Sequence, residues 1–134
     1  MAAISNKGEL YFTCYHGTFT GPLFLTYLDR LTRHLDRKIH LIVDGHPVHR
    51  RVNVRTWLTE HIDGIEMHFL PGYAPELNPV ELLNRDVKRH VAQANPANPA
   101  GLAKAAASHL RRRQNQPNAV KAFFHKPEVR YAAA

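Results

Sequence analysis

The chain has 134 residues, 44% hydrophobic and 22% charged, enough for one globular core. No run of about 18 apolar residues could cross a membrane, and Met1 to Tyr11 carries Ser5, Asn6, Lys7 and Glu9 where a signal peptide needs an apolar stretch. The single cysteine, Cys14, excludes an internal disulfide framework and fits a reducing compartment. The net charge of +7 is unevenly placed. Residues 1–82 hold 8 Lys+Arg and 9 Asp+Glu, whereas residues 83–134 hold 10 and 2. The basic excess therefore lies in the C-terminal part, as a polyanionic partner would require. The ten histidines are scattered.

In chain order, Asn6-Lys7-Gly8 reads as a turn between Ala2–Ser5 and the β-prone run Glu9–Tyr15. The arms of this hairpin are unequal, so the chain is expected to begin partway along a strand. Phe24, Leu28, Leu31 and Leu35 recur at helical spacing, which predicts a helix over 21–37. Ile39–Val43 is nearly continuously apolar and suits a central strand covered on both faces. A second helix is expected over 48–62, with Val54, Trp57, Leu58 and Ile62 inward, and a further strand over 65–70. Asn78-Pro79-Val80-Glu81 should open a third helix, with Asn78 as N-cap and Val80, Leu83, Val87 and Val91 as its apolar stripe. The Asn/Pro-rich stretch 94–99 reads as a linker, followed by an Ala-rich helix over about 100–114 and a short segment with Val120, Phe123 and Phe124. This order predicts an α/β fold with a mixed sheet. It is divided into a core, 1–94, and a basic helical segment, 95–134, packed on it.

Two carboxylates stand out. Asp44 ends the most apolar strand, where open α/β sheets place ligand sites, although Asp44-Gly45 could equally make a plain turn. Glu81 sits on the first turn of a helix, where a capping box or an ion pair with Arg85 would also explain it. Taken together, they could converge at one sheet rim and hold hard divalent ions, which activate water and stabilise a leaving oxygen in phosphodiester chemistry. Arg85 and Lys88 follow Glu81 at i+4 and i+7, so the same helical face offers cations to a nucleic-acid backbone. His46 and His49 lie near Asp44 but lack partners at zinc-ligand spacing, so they read as loop residues at a site rim. Cys14 is expected to be a buried structural thiol, and Ser5 and Ser108 lack a nucleophile-elbow context. Arg111-Arg112-Arg113 could grip phosphates or merely complement a helix dipole.

Two segments carry a family resemblance. Ile42-Val43-Asp44-Gly45-His46-Pro47-Val48-His49 and Phe69-Leu70-Pro71-Gly72-Tyr73-Ala74-Pro75-Glu76-Leu77-Asn78-Pro79-Val80-Glu81 resemble the catalytic core of DDE transposases, in the bacterial insertion-sequence branch of the mariner superfamily. The 36 residues between Asp44 and Glu81 are close to that family's spacing between its second and third acids. The likeness runs from Ala3 to Tyr131. It implies a ribonuclease-H-like fold, Mg²⁺ or Mn²⁺, and DNA strand cleavage and transfer at transposon ends. Asp44 and Glu81 would be catalytic metal ligands, with His46, His49 and Asn78 at the rim and Arg85, Lys88, Arg89, Arg111, Arg112 and Arg113 on DNA. A cytoplasmic, nucleoid-associated protein, possible as a homodimer, is the matching expectation.

The departures from the family pattern are equally specific. The family's first aspartate belongs to a strand upstream of the hairpin, and the acids preceding Asp44 here are Glu9, Asp29 and Asp36, none at such a position. The family's end-recognising helix-turn-helix region is also missing, so the chain reads as the C-terminal part of a transposase lacking the first strand. It is expected to be weakly active or inactive alone. The alternatives are a non-catalytic DNA-binding fragment, a subunit completed by an upstream N-terminal transposase polypeptide, a decayed remnant, or another nuclease or phosphoryl-transfer chemistry on the same fold.

Overall fold

In the computed structural model, which describes residues 1–72 and 74–133, the predicted hairpin is present. Strands β1 (Ala2–Ile4) and β2 (Leu10–Phe12) pair antiparallel, Ala3 opposite Tyr11. Gly8 makes the turn possible: its φ is +90°, and a Cβ there would lie 2.6 Å from the Pro117 carbonyl oxygen. Met1 and Thr13 exchange the last pair of hydrogen bonds, at 2.9 and 3.1 Å. The arm expected to run to Tyr15 therefore stops pairing at Thr13. Cys14, expected to be buried, is exposed because it lies past the end of that ladder.

The chain divides into two compact units, Met1–Tyr15 with Glu76–Ala134, and His16–Pro75. In the second, α1 (Gly21–His34) starts at Thr20, whose Oγ1 accepts from the Leu23 amide at 3.3 Å. It ends three residues before the expected limit, because Leu35 is already extended. Phe24, Tyr27, Leu28 and Leu31 form its buried face. The expected helix over 48–62 is broken in two, a 3₁₀ turn at Pro47–Arg50 and α2 (Val52–Glu60). Arg51 between them has β-region dihedrals, which shifts the helical phase. Val54 is fully buried as expected, but Ile62 falls past the helix end and is 48% exposed.

Strands β3 (Ile39–Val43) and β4 (Ile65–Phe69) pair in parallel, with Ile39 opposite Ile65 and Val43 opposite Phe69. Strand β3 is not covered on both faces: His40 and Ile42 are exposed while Ile39, Leu41 and Val43 turn inward. The near-continuous apolar run hid this alternation, because only His40 marks the open face by its polarity. Strand β4 shows it openly, with Glu66 and His68 between apolar residues. Among the described residues each sheet has two strands.

In the first unit, α3 (Val80–Ala94) and α4 (Pro99–Gln114) form a helical hairpin that packs on the β1–β2 hairpin. Leu10, Leu83, Leu110 and Val120 are its buried core, with Ile4, Phe12, Val87 and Phe123 around them. Gln114 Nε2 donates to the Leu10 carbonyl at 2.9 Å, tying α4 to β2. The stretch 94–99, expected to be a linker, is the tight connection of this hairpin. Asn95 closes α3 in the left-handed region (φ 47°), and Asn98 caps α4 by accepting from the Gly101 amide at 2.8 Å. The short helix α5 (Pro117–Ala122) buries Val120, and Phe124 and Val129 beyond it are buried too.

Candidate active site

Asp44 follows directly on β3, as the sequence predicts, and its side chain is 57% exposed. The neighbouring histidines hold it in place. Its Oδ1 accepts from the His46 amide at 3.0 Å and lies 3.3 Å from His49 Nδ1. The same His49 nitrogen is 3.1 Å from the Asp44 carbonyl, so a protonated Nδ1 serves both oxygens. His46 Nδ1 in turn accepts from the Val48 amide at 3.1 Å. His49 is buried against Phe24 (ring centroids 4.7 Å apart) and Phe19 (5.8 Å). That burial pushes its pKa down, partly opposed by Asp44, and the contacts hold the ring in one orientation. Among the described residues no hydrogen bond or ion pair falls on Asp44 Oδ2, so one oxygen is left for a ligand.

Glu81 lies on the first turn of α3 and is half-buried. The Asn78 side chain accepts from the Val80 amide at 3.1 Å, and the Asn78 carbonyl from the Glu81 amide at 3.0 Å. Asn78 thus bonds the first-turn amide from one residue ahead of the cap, which is Pro79 and not the expected Asn78, and the reciprocal bond of a capping box does not form. Among the described residues the Glu81 carboxylate takes no hydrogen bond and no ion pair, from Arg85 or any other group. Neither structural role open to Glu81 in the sequence is realised. The Tyr131 hydroxyl donates to the Leu77 carbonyl and fixes the approach to α3. Tyr73, within the most unusual motif, lies outside the described residues.

The cations divide into two groups. Arg85, Lys88, Arg111 and Arg112 are exposed and without an ion pair among the described residues. Arg113 and Arg89 are engaged by Asp86, which is only 6% exposed. Arg113 forks onto Asp86 with Nε–Oδ2 2.7 Å and Nη2–Oδ1 2.9 Å, His109 Nε2 meets Oδ2 at 2.7 Å, and Arg89 Nη2 meets Oδ1 at 3.2 Å. The Arg113 guanidinium, with His109, holds the Asp86 carboxyl well below the usual carboxylate range despite its burial. Sequence reasoning missed this cluster. The available signals were an acid inside the apolar arc of α3, between Leu83 and Val87, and the i,i+4 pair His109 and Arg113 on α4.

Asp44 with His46 and His49 belongs to the unit His16–Pro75; Glu81, Asn78 and the candidate cations belong to the other. The profile of one protein family, the DDE superfamily endonucleases, matches residues 1–100 and so contains both carboxylates. The chain belongs to the DDE superfamily endonucleases. Endonucleases of this superfamily act on DNA and are generally dependent on divalent metal ions. No curated protein matches the chain. Among the described residues no helix is long and apolar enough to cross a membrane.

Proposed function

We propose that the chain is part of the catalytic domain of a DDE transposase of the mariner superfamily, in its bacterial insertion-sequence branch, on a ribonuclease-H-like fold. Asp44 and Glu81 are its second and third acids and hold Mg²⁺ or Mn²⁺ for cleavage and joining of DNA strands. The observation that carries this reading is that, among the described residues, the Glu81 carboxylate has no hydrogen bond or ion pair and Asp44 is held through Oδ1 alone. Oxygen donors of this kind fit a hard divalent ion. When bound, such ions activate the attacking oxygen and stabilise the leaving one. The chain's own part is to hold the donors still: His49 orients Asp44, and Asn78 sets the helix turn that carries Glu81. Arg85, Lys88, Arg111 and Arg112 offer the phosphate contacts, with Arg89 and Arg113 beside them at Asp86.

On this reading none of Glu9, Asp29 and Asp36, the acids preceding Asp44, serves as the first acid. Asp29 is paired with Arg33 at 3.0 Å on α1, and Glu9 accepts from Ser5 Oγ at 2.8 Å in the hairpin turn. With two carboxylates in place of three, the 134-residue chain alone nicks DNA weakly or not at all. Mg²⁺-dependent nicking of a supercoiled plasmid measures this. Vigorous cleavage that disappears in Asp44→Ala would refute the incomplete site while supporting the metal role.

A second reading, favoured by the two-stranded sheets, is that an upstream polypeptide adds a strand bearing the missing aspartate. Among the described residues each strand is an edge of its own sheet and so a ready pairing surface. Co-expression with such a polypeptide restores nicking on this view, and the restored activity is lost again in Glu81→Ala.

A further inference from the structure

We propose that His40, Glu66 and His68 form a binding site for a borderline divalent transition-metal ion such as Zn²⁺, separate from the Asp44 and Glu81 carboxylates. The three side chains come from adjacent strands and share one face of the parallel pair. His40 lies opposite Glu66 in the register, and His68 follows Glu66 by two residues, so period-2 alternation points all three the same way. His40 Nδ1 is 3.1 Å from His68 Nε2 and 3.4 Å from Glu66 Oε2, and the three ligand atoms lie within 4.8 Å of one another. Donors about 2.0–2.1 Å from a tetrahedral ion sit about 3.3 Å from each other, so both short separations already match the edges of a zinc coordination sphere.

The chemistry of the set selects the ion. Two imidazole nitrogens and one carboxylate suit Zn²⁺, Co²⁺ or Ni²⁺, whereas Mg²⁺ prefers oxygen alone. Lys38 Nζ takes the other Glu66 oxygen at 3.4 Å, which fixes the carboxylate and leaves Oε2 to the cluster. His40 and Glu66 remain accessible, with side chains 58% and 34% exposed, so an ion can enter and keep water on its open side. The apo arrangement needs one imidazole to donate to the other, and a bound ion replaces that contact with two ligand bonds. Because the ligands bridge β3 and β4, occupancy clips the two strands together and raises the thermal midpoint. None of this depends on the proposed catalytic role of the chain.

The test is calorimetric titration of the full 134-residue chain with Zn²⁺ alone, repeated with Co²⁺ to read ligand-field absorption. One ion per chain is expected, not displaced by excess Mg²⁺. His40→Ala and His68→Ala should each weaken binding by more than about tenfold. Glu66→Gln, which keeps the side-chain size, should do the same should either histidine variant misfold, and His125→Ala, at an exposed histidine with no part in either site, should leave binding unchanged. Circular dichroism of the metal-free variants checks the fold. Failure of the wild-type chain to bind, displacement by Mg²⁺, or full binding in folded His40→Ala and His68→Ala would overturn the assignment. Nicking activity has no part in the readout, so the transposase reading can fail separately.

Discussion

At the scale of single residues, the most consequential side chain is one whose charge is hidden. Asp86 is buried, yet it is ionised because Arg113, His109 and Arg89 converge on it. Removing it in Asp86→Ala strands a buried histidine and a half-buried guanidinium, and should cost about 3 kcal/mol, read as a lowered urea midpoint. The same cluster sets an acid limit. Its folded pKa lies below the unfolded one, so its stabilisation is complete above the unfolded carboxylate value of about 4. That stabilisation is lost progressively as pH falls toward the folded value. Urea titrations between pH 7 and strongly acidic pH should show this slope in the wild type and a flatter one in Asp86→Ala. At Asp44 the neighbouring histidines were legible as sequence neighbours only. That His49 is buried and directed at Asp44 depends on Phe19 and Phe24 being packed around it, which helical periodicity does not report.

At the scale of elements, local rules were reliable where a strong capping or turn residue acts within a few positions. Asn78 bonds the first-turn amide of α3 at the helix start its sequence announces, Gly8 makes the predicted turn, and Thr20 and Asn98 cap α1 and α4 in the same local way. Asn98→Ala removes the Gly101 amide's acceptor and should cost about 1 kcal/mol. Asn95→Gly should be neutral or slightly stabilising, whereas Asn95→Val, forced to φ 47°, should cost about 1–2 kcal/mol. Thermal melts of the three variants check the order. Where the reading failed, no local residue carried the information. The break at Arg51 and the early end of α1 at Leu35 are changes of backbone conformation at residues that fit the helical pattern equally well. The pattern of the 94–99 stretch is the same for a linker as for a tight hairpin, and only the packing of α3 on α4 separates them.

At the scale of the whole molecule, charge follows the structural division. The unit Met1–Tyr15 with Glu76–Ala134 holds 11 Lys+Arg and 5 Asp+Glu, whereas His16–Pro75 holds 7 and 6. Binding to DNA through the first unit should therefore be strongly salt-dependent. With about five phosphates contacted, log affinity should fall against log salt with a slope of roughly −4 to −5. Arg111→Ala and Arg112→Ala should each reduce that slope by about one, while binding that ignores salt would dismiss the basic surface as a DNA contact.

The amino-acid sequence by itself determined the position of most strands and helices, the two acids with 36 residues between them, and the concentration of positive charge after residue 82. These are properties of spacing and composition, and each is carried by residues close together in the chain. Tertiary structure alone decided which polar groups are spent. It engaged Arg113 and Arg89 at a buried aspartate, left the Glu81 carboxylate without a partner among the described residues, and brought His40 beside His68 across a strand pair. Those outcomes turn on burial and on contacts between distant segments. Such contacts follow from how apolar faces pack, so periodicity can place a residue on a face but does not name the partner it meets there.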